Sequence, residues 1–166
     1  EAGLGLVGEV WAEGPLPAES AFTVLREGGM SAARLTLGES TGDEALSLIR
    51  RIASWSDAGS VCRCLAPLPR SLSSPPTTGY GDLRRVALAR LLVDNFESIQ
   101  VDWSSCGPKL AQVALTFGAD DVDAVASEGP DERGWRRSPG EEIRRNITAA
   151  GFIPLPRDGC FKAVKS

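Results

Sequence analysis

The chain contains no histidine, and methionine and tyrosine occur once each. Without imidazole, the usual general base, proton shuttle and nitrogen metal ligand near neutral pH are all excluded. There is no apolar run approaching the roughly 20 residues of a membrane span, and the N-terminus lacks the basic, apolar, small-residue succession of a secretory leader. A cytoplasmic setting is expected. Positive charge is also in short supply: 18 basic against 22 acidic residues give a net charge of −4, with no electrostatic footprint for DNA or RNA. No P-loop occurs, and no GxGxxG stands at a strand-to-helix turn; the glycines of "GLGLVGE" lie within a strand, so dinucleotide binding is not indicated. Cys62, Cys64, Cys106 and Cys160 have none of the CxxC spacing of a thiolate metal site. The chain starts at Glu1 without methionine, which reads as a processed product, an excised piece or a partial reading frame.

What is present suits one soluble globular domain. A chain of 166 residues, 42% hydrophobic and 24% charged, can bury about 70% of its unfolded surface. Strand-like and helix-like segments alternate. Strands are expected at 4–11, 31–38, 60–69 and 98–103, and helices at 18–29, 42–59, 82–95 and 107–118. In the second helix Leu46, Ile49 and Ala53 keep helical spacing and Gly59 ends it. In the third Asp82 is the cap. In the fourth Leu110, Val113, Ala114 and Phe117 form the buried stripe and Gly118 the left-handed end. Residues 71–81 read as a loop and 127–140 as a polar loop. A last helix over 138–151, with Ser138 as cap and Gly151 beyond its end, leads into an extended tail.

Repeated strand–helix units imply parallel strands joined by right-handed crossovers, in a barrel or an open doubly wound sheet. Strands buried on both faces read as continuous apolar runs. These instead place Glu9, Arg34, Thr36, Arg63, Gln100 and Asp102 at alternating positions. One face is therefore expected to be polar and to line a ligand cavity. Four strands cannot close a barrel, so the sheet is either open or short of strands.

From residue 82 the wording becomes recognisable. "ARLLVDN", "IQVDW", "GPKLAQVALTFGADD" and "ITAAGFIPLPRDG" closely resemble the C-terminal end of a radical S-adenosylmethionine family. That family comprises aminofutalosine synthase, the dehypoxanthine futalosine cyclase of the futalosine menaquinone route, and the deazaflavin (F0) synthase subunits. Upstream, "TLGESTGDEALSLIRRI" and "CLAPLPRSLSSPPTTGYGDLRRVA" resemble its sixth and seventh barrel units more weakly. The resemblance implies an α/β fold: a partial, half TIM-type barrel of about four parallel βα units over 1–126, the polar loop at 127–140, and a helix and extended tail over 141–166 packed on the barrel. Three departures stand out. The family's CxxxCxxC loop, which holds a [4Fe–4S] cluster, is absent; Arg70 and Ser71 stand where members often have histidine and proline; and "VASEGPDE" replaces a glutamate pair.

The resemblance further implies reductive cleavage of S-adenosylmethionine and attack of the resulting 5′-deoxyadenosyl radical on a chorismate-derived enolpyruvyl-benzoate, most as in aminofutalosine synthase, or on a nucleoside. This chain would supply the cavity wall without ligating the cluster. Glu9, Arg34, Thr36, Glu39, Arg70, Gln100 and Asp102 are the candidate substrate or S-adenosylmethionine contacts, the arginines pairing substrate carboxylates. Asp102 is read either as an acceptor for ribose hydroxyls or as an internal partner of Arg63 or Arg34. Asp120 and Asp121 are read as a metal or substrate pair or, more simply, as solvated carboxylates. Cys62 and Cys64 are expected opposite Arg63, facing the helix layer; Arg133, Arg136 and Arg137 form a solvated basic cluster; Trp11 and Trp103 either stack on an adenine or pack under helices. The expected partners are a complementary N-terminal half or a second copy, and not nucleic acid or membrane. The competing reading is a degenerate, non-catalytic half-barrel serving as a ligand-binding or subunit-interaction module.

Overall fold

A computed structural model describes residues 6–40, 42–69, 78–123 and 139–164. Its first strand is interrupted. Segments β1 (Leu6–Val7) and β2 (Val10–Trp11) flank Gly8 and Glu9, and both pair in parallel with β3 (Ser31–Thr36). Leu6 lies opposite Ser31 and Val10 opposite Leu35, so the register runs on unshifted across the gap. Three more parallel strands follow in order: β4 (Cys62–Ala66), β5 (Ser98–Asp102) and β6 (Asp121–Asp123). The helices are α1 (Ala18–Glu27), α2 (Gly42–Ala53), α3 (Ala58–Val61), α4 (Tyr80–Leu92), α5 (Trp103–Thr116) and α6 (Pro139–Ala149).

Spatial order follows chain order. Right-handed crossovers that always step the same way put every helix on one face of the sheet, whereas a doubly wound sheet needs a reversal of strand order. The other face is concave. Arg34 on β3 donates to Asp123 on β6 at 2.5 Å, although three inter-strand steps of a flat sheet would separate the strands by about 14 Å. The sheet must curl as in a TIM-type barrel. Among the described residues it does not close: five strand positions stand where eight complete such a barrel, and the edges are β1/β2 and β6.

A fifth position follows the four expected strands and moves the second edge from 98–103 to Asp121–Asp123. Those three residues alternate carboxylate, valine, carboxylate, with too little apolar character to announce a strand. The core lies between the sheet and its helices. Leu35, Leu65, Ile99 and Val101 from the strands meet Ile49, Ile52, Val86, Ala89, Ala111 and Ala114, each at most 1% exposed. Burial of each large aliphatic side chain contributes about 1.5–3 kcal/mol.

Three local expectations need correction. The helix expected over 42–59 stops at Ala53, because Asn95 Nδ2 donates to the carbonyls of Ile52 (2.9 Å) and Trp55 (2.7 Å) and holds the chain in a turn. Gly59 therefore lies inside α3 and does not end a helix. The third long helix begins at Tyr80 after Gly79, with no side-chain cap; Asp82 sits in its first turn, where its charge suits the helix dipole. In α5 the chain is already helical from Trp103, breaks at Gly107 (φ 75°, ψ 161°) and resumes at Pro108. Its buried residues are Ala111, Ala114 and Leu115, while Val113 and Phe117 are exposed. This helix is apolar over two adjacent stripes, and the alanine stripe wins because it permits the closer approach to the sheet. Gly118 (φ 107°) and Gly151 (φ 89°) do adopt the left-handed conformation beyond α5 and α6. Ser138, the arginines at 133, 136 and 137, and most of the polar loop lie outside the described residues.

Candidate functional site

Register decides which side chains share the concave face. Arg34 pairs with Cys64 and Ala32 with Cys62, and on the far side Gln100 pairs with Asp121 and Asp102 with Asp123. Paired residues of a parallel sheet project the same way. Glu9, Arg34, Thr36, Gln100, Asp102, Asp121 and Asp123 thus line one face. Cys62 and Cys64 join them there, contrary to the expected helix layer. Arg63 points to the opposite side, exposed, with Glu97 as a 3.9 Å surface partner.

The face is held by a continuous hydrogen-bond path. Arg34 Nε donates to Glu9 Oε1 at 2.9 Å, its NH1 to Asp123 at 2.5 Å and, more weakly, to Gln100 Oε1 at 3.4 Å. Thr36 also donates to Glu9 Oε1. Gln100 Nε2 donates to Asp121 (2.5 Å), and Arg157 forks onto the same carboxylate through Nε (2.6 Å) and NH2 (2.5 Å). The side-chain hydrogen bond to Asp121 raises the Arg157 pKa. Burial raises the Cys64 thiol well above its ordinary 9.0, with the Asp121 charge adding to it, and pushes Cys62 to about 12.

Asp102 ends β5 and caps α5: Oδ1 accepts from Ser104 Oγ (2.7 Å) and Ser105 N (2.8 Å). It engages neither of the ion-pair partners weighed from the sequence through that oxygen. Of the other expected site residues, Glu9, Arg34, Thr36 and Gln100 come together. Glu39 lies apart, exposed, beside a cavity of about 240 Å³ between α2 and α4. Arg70 is outside the described residues. Asp120 is not simply solvated: it accepts from Ser98 and Ile99 N (2.8 Å each) and pairs with Arg90 at 2.6 Å.

Sequence reasoning missed Asp123 and Arg157 on this face, and Glu13 and Arg85 at the loop after β3. Asp121 and Asp123 are two apart, the strand alternation that could have placed both inward. No local signal marks Arg157, which arrives through the tail. Glu13 accepts from Gly38 N and from Ser40 Oγ (2.7 Å), and Arg85 donates to the carbonyls of Ser40 and Gly38 (2.9 Å each), fixing the loop after β3. Burial lowers the Arg85 pKa.

Chemically, the face is rich in acceptors. Glu9, Asp102, Asp121 and Asp123 oppose Arg34 and Arg157, and both arginines are already engaged by protein carboxylates. Among the described residues no three histidine, cysteine, aspartate or glutamate side chains are grouped to hold a metal ion. Cys62 and Cys64 are buried, Cys106 is half-buried and Cys160 exposed, and none of them joins such a group, so these donors do not fit an iron–sulfur cluster.

The family model described as the CofH/MqnC C-terminal region matches residues 70–165. Aminodeoxyfutalosine synthase of Thermus thermophilus is 39% identical over 97 residues, 54% of this chain and 25% of that protein. The 5-amino-6-(D-ribitylamino)uracil–L-tyrosine 4-hydroxyphenyl transferase of Methanothermobacter thermautotrophicus is 35% identical over 108 residues, 60% and 29% of the two chains. A transferase of the same name from Methanoculleus marisnigri is 44% identical over 63 residues, 37% of this chain and 17% of that protein. The matched part of the chain thus spans under a third of each relative.

Proposed function

Because the chain belongs to the CofH/MqnC C-terminal region family, we propose that it forms the last five βα units of a radical S-adenosylmethionine enzyme of the futalosine menaquinone route, most like aminofutalosine synthase. The observation that carries this reading is the family match over 70–165, which falls on the singly wound units ending in β5 and β6. In this reading the concave face is the far wall of the substrate cavity. Glu9, Thr36, Gln100 and Asp102 face the ligand together with Asp123, acceptors suited to ribose or other hydroxyls. Arg34 meets a substrate carboxylate by exchanging it for Asp123, and the forked geometry of a guanidinium favours that exchange. Glu39 belongs to the loop that follows β3, and Arg70, outside the described residues, is the other expected contact. The [4Fe–4S] cluster is held by another segment.

Anaerobic reconstitution with iron and sulfide tests the division of labour. This chain alone should retain no cluster and cleave no S-adenosylmethionine, and co-expression with a segment carrying CxxxCxxC should restore cleavage to 5′-deoxyadenosine. Stable uptake of about four irons per chain by the chain alone, or a complex with the cluster-bearing segment that shows no cleavage, overturns it. One observation favours a second reading, a non-catalytic half-barrel module: the inner-face arginines already have protein partners. The same co-expression separates the two readings, since a module binds the segment without restoring activity.

A further inference from the structure

The tail after α6 has its polarity reversed. Ile153 and Leu155 are exposed while Arg157 turns inward, its side chain 21% exposed. Asp121, the residue it grips, opens β6, so the guanidinium enters at the amino ends of the strands, the end opposite to where barrel substrates sit. The tail is also held by contacts of its own. Asp158 accepts from the amides of Cys160 (2.8 Å) and Lys162 (2.9 Å), Val164 N donates to Pro156 O at 2.9 Å, and Arg157 bridges Ala163 in antiparallel fashion. The Arg157 guanidinium also lies 4.0 Å over the Phe161 ring. The fork is thereby held from its own side as well as from the sheet. Beyond Asp121 the hydrogen bonds continue through Gln100 to Arg34 and Glu9, and Cys64, which feels the charges of both Asp121 and Arg157, has no exposed surface.

We propose that residues 152–164 are the floor of the cavity and that Arg157 is a positioning residue which, through Asp121 and Gln100, fixes where Arg34 stands on the concave face. The floor seals the amino ends of the strands against water, so Cys64 stays buried and the inner charges act on one another at short range. This arrangement is independent of which ligand the face takes, because every group in it belongs to this chain.

Two measurements on the full chain test it: peptide-resolved alkylation of Cys64 in the folded protein, and the nitrogen NMR signal of the Arg34 Nε–H. Arg157→Ala should raise Cys64 alkylation at least about tenfold, as local opening exposes a protected group, and should shift the Arg34 signal. Asp121→Ala should do the same, and the double variant should add less than about twofold, because both act through one contact. Arg157→Lys keeps the charge but loses the fork, and should fall between wild type and Arg157→Ala in both readouts; it carries the test alone if the alanine variant does not fold. An unchanged Cys64 rate with an unmoved Arg34 signal overturns the proposal, and so does faster alkylation with the Arg34 signal unmoved.

Discussion

Cys62 illustrates how one side chain ties stability to pH. It has no exposed surface, and its Sγ approaches the Cys64 carbonyl at 3.3 Å. Burial pushes its pKa from 9.0 to about 12. The folded state therefore keeps a proton that the unfolded chain releases, so stability is intact below pH 9.0 and falls as pH rises from there toward 12. One such group contributes up to about 1.4 kcal/mol per pH unit. Urea unfolding in reductant at stepped alkaline pH should show this decline, and Cys62→Ala should make it shallower; an identical slope in the variant removes Cys62 as its source. Asp102 gives a second residue-scale expectation. As the cap of α5 it should tolerate asparagine, whereas Asp102→Ala should lower stability by about 1 kcal/mol, read from the same unfolding curves. A loss shared equally by both variants would point to its charge and away from its capping bond.

At the scale of elements, contact geometry overrides propensity. Helix propensity alone says that Gly59→Ala inside α3 should stabilise by about 1 kcal/mol. A Cβ there would lie 2.3 Å from the Asn95 carbonyl oxygen, which is backbone and cannot swing aside. The variant should instead lose several degrees in thermal midpoint, an outcome at the severe end of single substitutions. The face that α5 buries is open to a similar test. Val113 is 41% exposed and Ala114 fully buried, so Val113→Gln should stay within about 0.5 kcal/mol of wild type and Ala114→Leu should cost about 1–3 kcal/mol. Reversed magnitudes in denaturant titrations would restore the stripe that periodicity suggested.

Considered as a whole, the sheet of the described residues ends in two edges, β1/β2 and β6. Open strand edges present free N–H and C=O groups that pair with another chain unless they are covered. The isolated protein is therefore expected to self-associate through these edges, or to need a complementary piece that supplies the remaining strands. Sedimentation over a range of concentrations measures this. A cooperatively folded, monodisperse monomer at low micromolar concentration would refute it and imply that the edges are protected within the chain.

The succession of strand and helix was legible because each βα unit writes its apolar period locally, as "SIQVDW" followed by "GPKLAQVALTFG" shows. The polar alternation of Glu9, Arg34, Thr36 and Gln100 likewise foretold a polar face. Where Asp121–Asp123 belongs, which stripe of α5 is buried, and that Cys62 shares the face of Arg34 while Arg63 does not were fixed only by the fold. Those facts depend on parallel register between segments some 20 to 35 residues apart, and a one-residue slip in register sends every side chain to the other face without altering any local pattern. Arg157 lay furthest from reach: its partner Asp121 is 36 residues away, and only the closing of the tail beneath the sheet brings the two charges together.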